Sequence, residues 1–246
     1  MSGSFNPVRD IAIGKDKIIS LVLPETAEII FQGVLVTSAF SYFLNLKACK
    51  GDNISNIRQF SFARLENLTY VYFPKATIIR EGAFFYCSSL INANFPLVTS
   101  ILSGNVYADL TVTGVFSGCT SLINAYLPMV EEIGDFAFWE CTSLTNVYFP
   151  LVTNIQMCAF GFTGEKSLSI TLGDNAPFVI SSMFWWVDVA KPVTVKVPST
   201  ATGYGTSPID TTTENWGNAF RGMGWDGTNY LTGTVNPNIN LMIEYF

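Results

Sequence analysis

Three cysteines, Cys87, Cys119 and Cys141, are the first residues whose spacing suggests chemistry, because each lies three residues after a phenylalanine: Phe84, Phe116 and Phe138. A recurring Cys raises the possibility of a metal site or a disulfide framework. The same position elsewhere in the chain holds Phe43, Leu65 and Thr163, however, so the slot accepts apolar fillers. A zinc site needs clustered ligands with paired spacing, which this pattern lacks. The remaining two thiols fit the same reading. Cys49 stands where other units carry Val71 and Val147, and Cys158 lies beside a phenylalanine box. The expectation is five buried, reduced thiols and no metal.

Other candidate chemistry is sparse. There are no His residues, which removes the commonest general base and metal ligand. Glu131, Glu132 and Asp135 form a compact acidic corner, but nothing in their spacing sets two carboxylates across a cleft as glycoside hydrolysis requires. Gly224 to Thr228 reads G-W-D-G-T, a turn whose lone Asp226 is a poor basis for calcium binding. Asn53-Ile-Ser55 and Asn67-Leu-Thr69 match the glycosylation sequon, which matters only in a eukaryotic secretory host. The sequence thus nominates no catalytic residue and no cofactor.

The elements that position these residues follow one rule. From Ile133 the chain reads Phe138, Cys141, Leu144, Pro150 and then Ile155, a unit of 22 residues. The aromatic recurs at Phe40, Phe62, Phe84, Phe116, Phe138 and Phe160. Pro24, Pro74, Pro96, Pro128 and Pro150 are each followed five residues later by Ile, with Asp52 standing in once ahead of Ile57. A fixed short period marks a solenoid, in which one unit cannot bury its own apolar face and must stack on a neighbour. Phe62, Phe84, Phe116, Phe138 and Phe160 should therefore share one buried column.

With the repeated A-F-x-x-C-x-S-L and L-P-x-V-x-x-I elements in hand, the chain resembles the BspA-type leucine-rich repeat family of bacterial surface proteins over about Asp16 to Trp216. The resemblance implies a right-handed, curved leucine-rich repeat solenoid, mostly β with short helical or 3-10 turns, in about eight coils. It also implies a binding or adhesive role outside a bacterial cell, extracellular or at the cell surface. It does not imply an enzyme. In such repeats the third and fifth positions of each L-x-x-V/A-x-F/L-P strand point out of the concave sheet. Here those positions are Tyr70 and Tyr72, Asn92 and Asn94, Asn124 and Tyr126, and Asn146 and Tyr148. These eight are the candidate ligand-binding residues, suited to a host or bacterial surface protein or a glycan. Strand propensity alone also favours Tyr here.

Composition agrees. Charged residues make up 13 % and the net charge is −6, without a Lys or Arg run, which argues against nucleic acid and anionic membrane partners. Glu28 and Lys47 bracket eighteen uncharged residues, at the lower edge of a membrane span. Gln32 and Asn45 interrupt that stretch and Phe40 and Leu46 keep the repeat, so a buried coil is expected and no membrane span. The N-terminus has no uninterrupted apolar run of the secretory kind. A mature chain or another export route fits that, as does a structural or receptor-binding component of a phage particle.

The expected division is an N-terminal cap at 1–15, the solenoid at 16–198 and a C-terminal cap at 199–246. The first strand is expected at Ile18 to Leu23. Past Phe160 the pattern loosens: Leu168 to Leu172 and Val193 to Val197 alternate as strands, and Trp185 and Trp186 accompany Phe184 in place of the box. Tyr204 and Trp216 match the terminal arrangement common in the family, and short strands are expected at Tyr230 to Val235 and Leu241 to Phe246. Two insertions, Ile30 to Leu35 and Leu102 to Thr111, fall in the same slot of the repeat and should emerge on one side.

Overall fold

The protein is described by a computed structural model covering residues 4–5, 11, 14–30, 32–34, 38–108, 111–163, 167–179, 183–184, 193–204, 224–225, 230–231 and 241–246. Two series of parallel strands run the length of the stack. The first begins as a three-stranded sheet of Ser20–Val22, Ala48–Lys50 and Tyr70–Tyr72. It goes on as six strands: Asn92–Asn94, Asn124–Tyr126, Asn146–Phe149, Leu168–Leu172, Val193–Val197 and Leu241–Tyr245. Eight two-residue strands, from Ser4–Phe5 through Asn56–Ile57 to Phe178–Val179, form the second series.

Where a Pro follows a strand of the first series, as at Pro24, Pro74, Pro96, Pro128, Pro150 and Pro198, it ends the ladder, having no N–H to give. Five residues later the Ile of the second series is buried, with Ile57, Ile79, Ile101, Ile133 and Ile155 all fully enclosed. Hydroxyls bind the coils together between these points. Thr69 Oγ1 donates to the Lys47 carbonyl at 3.0 Å, Thr77 to Ser55 at 3.2 Å and Thr153 to Glu131 at 3.0 Å. Each spans one repeat, satisfying carbonyls at the coil edge.

The expected aromatic column is present. Phe40, Phe62, Phe84, Phe116, Phe138 and Phe160 are all wholly buried. Successive ring centroids lie 4.7, 5.2, 5.4, 5.4 and 5.4 Å apart with nearly parallel planes, and Phe184 extends the stack at 5.6 Å. Phe73, Phe95 and Phe149, at the sixth strand position, pack against it. The core is thus a line of rings running along the axis, walled by strands on two sides.

Two expectations need correction. The stack comprises about six regular turns, not about eight: the coils from Phe40 to Phe160 keep the full unit, and the strands at either end continue the two series without it. The F-x-x-C segments are not helical. Each is a β-turn, with Cys87 N bonded to Phe84 O and Cys141 N to Phe138 O, followed at once by a second turn closing on the Leu, as Leu90 N to Cys87 O shows. Among the described residues Lys15–Lys17 is the one helical segment, a single 3-10 turn.

The first strand is shorter than expected, Ser20–Val22. Leu241–Tyr245 pairs in parallel with Val193–Val197 and so lengthens the main sheet. Of the Tyr230 to Val235 strand, Tyr230–Leu231 pairs antiparallel with Gly224–Trp225, and the rest lies outside the described residues. Trp185, Trp186, Trp216 and Asp226 also lie outside them, as do most of residues 1–15.

Both insertions leave the coil at one slot. Gly33 N bonds to Gln59 O and Gly104 N to Asp135 O, each acceptor being two residues past the Ile of the next coil. The longer insertion forms a hairpin, Asn105–Val106 against Val112–Thr113. Its anchor is Glu81, whose Oε1 accepts from Thr113 Oγ1 at 2.7 Å and Tyr107 Oη at 3.1 Å, while Oε2 accepts from Gln59 Nε2 at 2.6 Å. Of the shorter insertion, residues 31 and 35 lie outside the described set.

Candidate binding face

Alternation along each strand of the first series decides what the outer face carries. In Tyr70–Tyr72, Val71 is buried and both tyrosines are exposed; in Asn92–Asn94, Ala93 is buried and both asparagines are exposed. The pairing register then aligns Asn92, Asn124 and Asn146 in one row and Asn94, Tyr126 and Tyr148 in the next.

The first row is an amide ladder. Asn124 Nδ2 donates to Asn92 Oδ1 at 2.8 Å, and Asn146 Nδ2 donates to Asn124 Oδ1 at 3.1 Å. Asn146 Nδ2 also reaches Thr145 Oγ1 at 3.0 Å. Among the described residues the ladder ends in an Asn92 amide donor and an Asn146 carbonyl with no protein partner. In the second row the Tyr126 and Tyr148 rings stack at 5.2 Å and 12°. They remain open to solvent, at 46 % and 38 % exposure.

Tyr70 and Tyr72 stand on the neighbouring strand, exposed in the same alternation, but no ladder pair joins that strand to Asn92–Asn94. Their strand pairs with Ala48–Lys50, whereas Asn92–Asn94 belongs to the six-stranded sheet. A long Ile91 N to Thr69 O bond of 3.5 Å is what crosses the seam. The ladder is interrupted there, although the two strands remain adjacent. Sequence reasoning also stopped too early at the far end. Ser169 and Thr171 continue the rows beyond Asn146 and Tyr148, and Thr194 and Lys196 follow. Their alternation is readable in the sequence, with Gly173 standing where other units carry Pro.

The candidate chemical groups have structural partners. All five cysteines are free and buried. Cys87, Cys119 and Cys141 each donate Sγ–H to the carbonyl of the preceding coil's box Phe, at 3.1, 3.2 and 3.1 Å. Burial pushes their thiols, and that of Cys49, well above the ordinary range, and that of Cys158 to about 12. Among the described residues no three potential metal ligands cluster. In the acidic corner, Glu132 Oε1 accepts from Gln156 Nε2 and Asp135 Oδ1 caps Met157 N. The sequon amides are used as well: Asn53 Nδ2 donates to Glu25 O and Asn67 Nδ2 to Leu44 O. The uncharged stretch ahead of Lys47 is a coil of the stack, with Phe40, Phe43 and Leu46 buried. No helix among the described residues is long and apolar enough to cross a membrane.

A stack of parallel coils around an aromatic column, with a Pro-terminated strand in most of them, is a leucine-rich repeat solenoid. The BspA-type leucine-rich repeat region is matched in six copies by residues 13–112, 35–169 and 112–188, and the chain belongs to that family. Among solved structures, the leucine-rich repeat protein of T. pallidum is similar, with 27 % identity and a TM-score of 0.54 over 68 % of this chain and 75 % of that one. A leucine-rich repeat protein from Bacteroides ovatus aligns over 76 % of this chain and 80 % of its own at 16 % identity, with a TM-score of 0.23, too low to bear on the fold. No curated protein matches.

Proposed function

We propose that the chain is a non-enzymatic recognition or adhesion module at a bacterial cell surface, binding a surface protein or glycan through the exposed Asn–Tyr face. The observation that carries this reading is the Tyr126–Tyr148 pair, stacked at 5.2 Å and yet open to solvent. A stacked pair held by strand register offers flat amphipathic area with little left to order on binding. The adjoining amide ladder ends in one unpaired donor and one unpaired acceptor, which add directional contacts. Family membership supports the surface placement, since BspA-type proteins are typically surface-associated. The division into caps at 1–15 and 199–246 around a solenoid at 16–198 goes with this reading.

Cross-strand stacking of like residues also stabilises a sheet without any ligand. The experiment that separates the two is a glycan and protein array with the purified chain, followed by Tyr126→Ser and Tyr148→Ser together. Circular dichroism should be unchanged and affinity for the array hit should fall about tenfold or more, in line with loss of an aromatic anchor. Unchanged affinity rejects this face.

A further inference from the structure

The charges of the chain are sorted along its length. Nine of the 13 Lys and Arg lie in residues 1–80 beside six carboxylates, whereas residues 81–165 hold seven carboxylates and no cation. A solenoid converts that order into position, so the coils up to Arg80 carry an excess of positive charge and those just after it an excess of negative. Uneven charge of this kind steers association.

The two signs meet on one side of the stack, that of the two-residue strands. Asn56, Ile78, Ser100, Glu132 and Asn154 stand at one position on five successive strands. Each precedes a buried Ile, so all five turn outward. Arg58 and Arg80 follow the Ile on the first two of these strands, Arg80 fully on the surface, and the half-buried Leu102 holds that place on the third. Glu131 and Glu132 are exposed on the fourth, with Asp135 just beyond it. Among the described residues no carboxylate lies within ion-pair reach of Arg58 or Arg80. The opposite charges that would match Arg80 stand two coils away on the same side.

That spacing is self-complementary. The strand of Ser100 is the third of the five, and a two-fold axis lying along it sets the strands of a second copy against the first in reverse order. Ser100 and Leu102 then face their own counterparts, Asn56 faces Asn154, and Arg80 falls between Glu132 and Asp135 of the other molecule. The Arg80 contact occurs twice, once on each side of the axis. We propose that the side formed by the two-residue strands is a docking surface for a second copy of this chain, held by Arg80 against the Glu132–Asp135 corner. The eight strands, ~4.8 Å apart, span about 34 Å. A strip of that length and about 12 Å wide covers roughly 400 Å² a side, about half of a standard interface. The dimer is accordingly weak, reversible and sensitive to salt. The Asn–Tyr face lies on the other series of strands and stays open in both copies.

Sedimentation equilibrium of the full chain tests this. At about 0.1 M salt a Debye length of ~10 Å mutes repulsion between distant parts of two chains of net charge −6 and leaves facing pairs intact. There the parent should dimerise reversibly with a dissociation constant below about 1 mM. Raising salt to about 1 M should weaken the dimer about tenfold or more. Arg80→Glu and Glu132→Lys each set like charges together at both symmetric contacts, and each should weaken it about tenfold or more. Circular dichroism of both should match the parent, since Arg80 is exposed and Glu132 gives up one exposed bond to Gln156. An equimolar mixture of the two variants restores opposite charges at both contacts and should associate as the parent does. The Tyr126→Ser, Tyr148→Ser protein should also dimerise as the parent does, which keeps this result apart from that for the Asn–Tyr face. The proposal is overturned if the parent stays monomeric up to about 1 mM, if salt or both charge variants leave the dimer unchanged, or if the mixture does not associate.

Discussion

Tyr86 reaches past an entire coil to Glu140: the two are 54 residues apart, yet the phenol donates to the carboxylate at 3.2 Å. The intervening turn is the one that carries Gly118, and the Tyr86 ring lies across it. A Cβ on Gly118 would come within 2.7 Å of Tyr86 Cδ2.

Gly118→Ala should accordingly be costly twice over, through the positive φ and through displacement of Tyr86. Strained positions of this type cost roughly 1–3 kcal/mol. Urea unfolding should show that loss, whereas Tyr86→Ala combined with Gly118→Ala should recover the steric part but not the backbone part. Equal stability of parent and Gly118→Ala would contradict the geometry.

Phe138 sits between Phe116 and Phe160, 5.4 Å from each, with no exposure. Phe138→Ala should cost roughly 3–5 kcal/mol, the range for a deleted core ring. A loss below about 1 kcal/mol, on that scale, would mean the column does not hold the stack together.

The thiols make the fold sensitive to alkali. Burial raises the Cys49, Cys87, Cys119 and Cys141 thiols, so the folded chain keeps protons that the unfolded chain gives up above about pH 8.5. The sign follows from linkage: stability is full below the unfolded value and falls as pH rises toward the folded one. Each such thiol should remove roughly 1.4 kcal/mol per pH unit in that window. Denaturation curves at pH 8, 9 and 10 measure it, and Cys87→Ala should flatten the slope. A midpoint that does not move would refute the account.

Thiol reactivity gives a separate check. Denatured protein without reductant should titrate all five cysteines, and native protein few, since every one is buried. Cys158, pushed up to about 12, should not alkylate faster between pH 7 and pH 9, where an ordinary thiol does. A disulfide among Cys87, Cys119 and Cys141 would be incompatible with their bonds to the box carbonyls.

Glu81 holds the inserted hairpin through Thr113 and Tyr107. Glu81→Ala leaves the buried Thr113 hydroxyl one acceptor short, costing about 1–3 kcal/mol locally. Hydrogen exchange should quicken in Asn105–Val106 and Val112–Thr113 while Asn124–Tyr126 stays protected. Uniform protection would show the hairpin to be anchored elsewhere.

Much of this fold could be read from residue types alone, and the reasons are local. Phe at every box had to be core, because a ring repeating in step with the strands finds its like above and below. The Asn and Tyr positions were legible from strand alternation. Their bonding was not: whether Asn124 faces water or Asn92 depends on inter-strand distance. Nor could the seam after Tyr70–Tyr72 be foreseen, since the strands on either side obey one pattern; we have no physical account of why the ladder breaks there. The left-handed turn positions stayed hidden for another reason. Positive φ is announced by Gly or Asn, and Arg64, Tyr86, Glu140 and Phe162 are neither.

The 22-residue offset of the bonds between regular coils bears on how such a chain acquires its length. Thr77 bonds to Ser55 and Thr153 to Glu131, each 22 residues back. Excising one such span from any regular coil joins two positions that are already equivalent, and each surviving coil still meets a neighbour of its own kind. Unequal recombination between units can therefore lengthen or shorten the protein strand by strand without a compensating substitution, and the breadth of its outer face becomes a heritable quantity that changes in whole steps.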